Sequence, residues 1–138
     1  GFNSRLDELQ AAYLNVKLKY ISNWNKLRQH QAKIYINKIC NSKIKLPKVI
    51  DNCSPVWHLF VVATKDRDNL QKYLQENGVE TLIHYPISPS NQLAYKDQEL
   101  RGDISSAQKI CDSILSLPIG PHLSESDINE ISMIVNSY

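Results

Sequence analysis

No proline precedes Pro47, so nothing in the first third of the chain removes a helical hydrogen bond or clashes with the turn before it. Within that stretch Leu6, Leu9, Tyr13, Val16 and Tyr20 recur at steps of three and four. The spacing predicts an amphipathic helix over roughly residues 5 to 20, and Ala11 and Ala12 add helix propensity. Ser4 followed by Asp7 resembles a capping box at its start. A second helix of similar length carries Trp24, Leu27, Gln31 and Ile34 on one stripe and ends near Cys40, with Ser22 or Asn23 as its expected cap.

The pattern then shortens. Lys43 to Ser54 is polar, contains Pro47 and has no sustained period, which predicts a connection with one short strand. Val56 to Val62 is rich in β-branched and aromatic residues and reads as a buried strand. Asp66 to Asn77 suits a short helix closed by Gly78 in the left-handed position, and Val79 to Ile83 returns as a strand. His84 to Gln92 holds Pro86 and Pro89 and is a loop. Ile104, Ala107, Ile110, Cys111 and Ile114 mark another helix, Leu115 to Leu117 a strand, and Pro118 to His122 a turn. Ser124 with Asp127 opens a last helix through Ile128, Ile131 and Val135. Helices running beside a few short strands define an α+β domain, with helices packed on a small, partly antiparallel sheet.

At 138 residues one core is the expected organisation, a single domain over residues 1–138. Cys40, Cys53 and Cys111 are odd in number and widely spaced, which argues against a disulfide framework and for a reducing, cytoplasmic setting. No apolar run approaches the ~20 residues of a membrane helix. Charge is uneven: ten Lys/Arg stand against Asp7 and Glu8 up to Lys48, and the remainder is net acidic. A basic helical module binding nucleic acid, or a regulatory one, is the alternative this asymmetry raises. Because the basic residues are scattered through helical sequence rather than clustered, a solvated helix face is the preferred reading.

No Gly-rich phosphate loop, paired-cysteine spacing or nucleophile elbow occurs. His30, His58, His84 and His122 fall in four different elements, so no metal site is expected. His30 belongs to a helix surface and His58 to a sheet face. His84 differs because it leaves a strand and enters a proline-fixed loop, where a rigid scaffold presents side chains to ligands.

Five segments, in order, resemble the C-terminal part of the DegT/DnrJ/EryC1/StrS sugar aminotransferases. They are Gly1 to Ala12, Leu18-Lys19-Tyr20 with Trp24-Asn25, Trp57 to Val61, Leu82 to Ile87, and Leu115 to Pro118 with Pro121 to Ser124. The branch most similar acts on nucleotide-linked 3-keto-6-deoxyhexoses. The resemblance implies the small C-terminal domain of a fold-type-I enzyme that uses pyridoxal phosphate to move an amino group, usually from glutamate, onto a keto-sugar. Such enzymes serve deoxyamino-sugar biosynthesis for surface polysaccharides or natural products and work as homodimers.

The family's Schiff-base lysine lies upstream of the segment matching Gly1. The resemblance therefore implies no catalytic residue here, an inactive fragment of an active parent, and surface roles for this chain's lysines. Asn3 matches an asparagine that reaches the cofactor phosphate of the other subunit, as a neutral amide donor can, with an ordinary helix cap as the alternative. Arg5 offers a fork of donors for the amino-donor carboxylate, with a local ion pair to Asp7 or Glu8 as the alternative. His84 and Tyr85 match a pair near the sugar, where groups that both donate and accept suit a polyhydroxylated ring. Ser90 departs from relatives that carry histidine there. Gln92 and Tyr95 fit the pattern as packing residues.

Overall fold

A computed structural model describes residues 5–95 and 102–138. Helix α1 (Glu8–Leu18) and helix α2 (Ile21–Lys38) come first. Strand β1 (Phe60–Ala63), helix α3 (Arg67–Glu76), helix α4 (Ser105–Ser113), strand β2 (Ile114–Leu117) and helix α5 (Glu125–Ser137) follow. The architecture is α+β. β1 and β2 pair antiparallel, with Phe60 opposite Leu117 and Val62 opposite Leu115. A single bridge extends the pair at each edge: Lys45 joins Ala63, and Leu82 joins Ser116.

The buried apolar residues form one cluster between this sheet and three helices. α2 contributes Ala32 and Tyr35, α3 Leu70 and Leu74, and α5 Ile128, Ile131 and Val135, against Phe60, Val62, Leu115 and Leu117 of the strands. Their removal from water is the main drive for assembly. Tyr35 carries a hydroxyl into this core and donates it to Pro118 O at 2.7 Å. Burial pushes its pKa up, because the phenolate would lose its hydration.

α2 is locked at two further points. The Gln31 side chain, buried in the middle of α2, donates from Nε2 to Gly120 O and Leu123 O of the turn before α5, both at 2.8 Å, and Oε1 accepts from Gly120 N at 3.0 Å. Just past its C-terminal end, Asn136 Oδ1 of α5 accepts from Cys40 N at 2.8 Å while its Nδ2 donates to Lys38 O at 2.8 Å. Polar groups left without a partner at the end of α2 are thereby satisfied from α5.

Two predicted ends hold well. Gly78 has φ +79°, the left-handed conformation that closes α3. Ser124 and Asp127 form the full capping box of α5, with Ser124 Oγ accepting from Asp127 N and Asp127 Oδ2 accepting from Ser124 N. The hydrogen bonds from Ser124 lower the Asp127 pKa.

Other expectations are corrected. α1 begins after Asp7, which is itself the N-cap and accepts from Leu9 N and Gln10 N, rather than closing a box with Ser4, which lies outside the described residues. Ser22 and Asn23 lie inside α2, whose cap position is Tyr20. The strand expected from Val56 begins only at Phe60, because Trp57 takes φ 53°, a region hostile to bulky side chains and incompatible with a strand. Packing of the Trp57 ring on Phe60, at 5.4 Å between centroids, accompanies that turn. The short strand expected within Lys43 to Ser54 contracts to one bridge at Lys45, and that over Val79 to Ile83 to one at Leu82.

Candidate functional site

The loop after the Leu82 bridge is the best candidate for ligand contact, because the sheet edge fixes where it starts. Ser116 N donates to Leu82 O at 2.8 Å, placing His84 two residues beyond a backbone tie to β2. His84 Nδ1 then lies 2.9 Å from Ser116 Oγ. Ser116 is buried, so this contact is sheltered from water, and its hydroxyl can donate or accept according to the imidazole tautomer.

Tyr85 follows through a cis peptide and stands 69% exposed. Its ring meets the His84 imidazole edge-on at 5.7 Å. The pair thus consists of one anchored, half-buried imidazole and one exposed phenol, each able to donate and accept hydrogen bonds. Beyond it, Ser88 is buried with Oγ 2.9 Å from Ser90 Oγ, and Pro89–Asn91 forms a short 3-10 turn. Gln108 Nε2 of α4 donates to Asn91 Oδ1 at 3.0 Å. The loop is therefore held at both ends.

Arg5 is exposed just ahead of α1. Among the described residues it makes no salt bridge, and Asp7 is occupied in capping α1. Asn3 lies outside the described residues. Gln92 and Tyr95, expected to pack, are exposed in the run around the turn Leu93–Tyr95. His30 sits on the exposed face of α2 and its Nε2 is 3.0 Å from Glu125 Oε2. His58, expected on a sheet face, precedes β1 and is exposed.

The described residues do not by themselves fit pyridoxal phosphate. An open groove of about 970 Å³ between α3 and α5 is rimmed by Glu80, Asp127 and Glu130, whose carboxylates repel a phosphate dianion. A smaller hollow beside the loop, about 380 Å³, is lined by Ser88, Gln108 and Asp112 without a cation. Every described lysine is exposed, unlike a lysine held against an enclosed cofactor. No group of three potential metal ligands occurs among the described residues. None of their helices is long and apolar enough to cross a membrane.

This fold recurs as one part of larger solved aminotransferases. A crystal structure of DesV from S. venezuelae in complex with a ketimine intermediate superposes on 99% of this chain, with TM-score 0.92 and 37% identity, and the match takes up 38% of that protein. The chain belongs to the DegT/DnrJ/EryC1/StrS aminotransferase family, whose model matches residues 1–136. Members use pyridoxal phosphate.

Among curated relatives, the dTDP-3-amino-3,6-dideoxy-alpha-D-galactopyranose transaminase of Aneurinibacillus thermoaerophilus is 44% identical over all of this chain and 38% of its own length. The dTDP-3-amino-3,4,6-trideoxy-alpha-D-glucose transaminase of Streptomyces venezuelae is 41% identical over 89% of this chain and 33% of its length. The chain thus spans between 33% and 38% of the length of these relatives.

Proposed function

We propose that this chain is the sugar-facing small domain of an aminotransferase acting on a nucleotide-linked 3-keto-6-deoxyhexose, with glutamate as amino donor and a homodimer as the working form. The observation that carries this reading is the anchored His84–Tyr85 pair, set on a framework 44% identical to a transaminase of a dTDP-linked 3-aminodideoxy sugar. Pyridoxal phosphate, held in the remaining part of the enzyme, supplies the electron sink. Asn3 reaches cofactor bound by the other subunit, Arg5 binds the donor carboxylate, and His84 and Tyr85 orient the sugar hydroxyls without moving the substrate proton.

Two experiments test the reading. The chain alone, incubated with pyridoxal phosphate and reduced with borohydride, should yield no stoichiometric pyridoxyl-lysine; finding one within these residues would overturn it. In the second, the chain replaces the matching segment of the A. thermoaerophilus transaminase. There Tyr85→Phe should raise the keto-sugar KM several-fold at constant cofactor loading, in line with about 0.5–1.5 kcal/mol for one neutral hydrogen bond. An unchanged sugar dependence would return the pair to a structural role.

A further inference from the structure

Among the described residues, no side chain caps the start of α3. Asp66 occupies the N-cap position, yet its carboxylate is engaged elsewhere. Oδ1 accepts from Asn69 Nδ2 at 2.8 Å, and Oδ2 accepts from the Tyr138 hydroxyl at 3.1 Å. Tyr138 follows α5 and lies 72 residues further along the chain. Helix ends without a cap fray readily, so the start of α3 depends on what holds Asp66.

The Tyr138 ring has two further neighbours. The Tyr73 ring of α3 lies 5.3 Å away, and Lys43 Nζ stands 4.8 Å from the Tyr138 centroid, within the range at which an ammonium is attracted to an aromatic face. Lys43 Nζ also donates to Tyr138 O at 2.7 Å. Lys43 is itself placed from α5: its N–H donates to Asn41 Oδ1 at 2.9 Å, and Asn41 Nδ2 donates to Val135 O at 2.9 Å. One aromatic residue thus joins the connection after α2, the start of α3 and the end of α5.

The rest of α3 is secured differently. Leu70 and Leu74 are fully buried in the core, and Gln71 Nε2 donates to Thr81 O at 3.3 Å.

We infer that Tyr138 is a strap that closes the start of α3 onto the end of α5, held by Asp66 on one side and by Lys43 on the other. When the strap opens, the turn from Asp66 to Asn69 frays and the chain after Asn136 loosens, while the Leu70 and Leu74 packing and the sheet stay formed. It is a local opening unit with a free energy of its own, separate from the Gln31 contacts at the other end of α5. The inference rests on contacts within this chain and is independent of the sugar assignment.

Amide hydrogen exchange reads the strap directly, because the Leu70 amide donates to Asp66 O at 3.0 Å and is released when Asp66 moves away. In the 138-residue chain, Tyr138→Ala should speed exchange at residues 70–72 about tenfold. Tyr138→Phe keeps the ring and loses the hydroxyl, and should speed it about fivefold or less. Exchange at residues 128–132 of α5 should not change in either variant. Lys43 makes no hydrogen bond or ion pair to α3 among the described residues, yet Lys43→Met should speed exchange at residues 70–72 about threefold. In the Tyr138→Ala background it should add nothing, since the strap is already open. The same order of effects is expected in the chimera with the A. thermoaerophilus transaminase. Unchanged exchange at residues 70–72 in Tyr138→Ala would overturn the inference. So would a Lys43→Met effect that persists without Tyr138, or a loss of protection at residues 128–132 equal to that at residues 70–72.

Discussion

The Gln31 carboxamide and the Gly120 peptide hydrogen-bond each other in both directions, across 89 residues of sequence. Gln31 is only 3% exposed, so the bonds replace water completely, and the amide also holds Leu123 O. A Cβ at Gly120 would lie 2.7 Å from His122 Cε1, so a side chain there would have to displace that ring.

Gln31→Leu should therefore be strongly destabilising, because it leaves a buried N–H and two carbonyls without partners. At roughly 1–3 kcal/mol per unsatisfied group, with partial rehydration, the loss is about 2–4 kcal/mol. Gly120→Ala should cost less, because the exposed His122 ring can rotate aside. Urea unfolding of the two variants orders them; a Gln31→Leu variant as stable as the parent sequence would show that the clamp contributes nothing.

Ser116→Ala should change the His84 imidazole without changing the fold. The hydroxyl 2.9 Å from Nδ1 orients the ring, donating or accepting according to the tautomer. Nitrogen-15 imidazole shifts should move on Ser116→Ala and recover in Ser116→Thr, while amide shifts in α2 and α5 stay in place. Identical imidazole shifts in all three proteins would remove Ser116 from any role in positioning His84.

The α5 capping box gives acid sensitivity a defined source. The folded-state pKa of Asp127 is lowered by hydrogen bonds from Ser124, so the unfolded chain binds this proton more readily. Its stabilisation is present above the unfolded carboxylate pKa, near 3.9, and is lost as pH falls through the lower folded value. Asp127→Asn should lower the melting temperature at pH 7 and flatten its decline below about pH 4. Parallel melting curves across that range would assign the acid transition elsewhere.

Much of the fold could be read in the sequence where the signal is local. The Ser124–Asp127 box and the Gly78 cap are properties of a few neighbouring residues, and both form as their spacing predicts. Strand extents were less legible. A β-rich run from Val56 does not reveal that Trp57 turns with positive φ, nor that each sheet edge closes with a single bridge.

For the site, His84 stood out because it opens a proline-fixed loop. Its partner Ser116 did not, since one serine among Ile114, Leu115 and Leu117 looks like a solvent-facing strand position, and only the Leu82 bridge shows that it is buried. The spacing of α1 correctly indicated a helix but not its exposure. Periodicity reports which residues seek burial and says nothing of what will cover them.

The pairing of α2 with α5 also sets the order of events at the ribosome. Tyr35 finds its acceptor 83 residues later, Gln31 its acceptors about 90 residues later, and Lys38 its partner Asn136 after 98. Loops of that size close slowly, and during synthesis α2 emerges long before the helix that completes it. The core can therefore close only after α5 has left the exit tunnel. Until then Tyr35 and Ala32, buried in the finished fold, remain open to solvent and to other nascent chains.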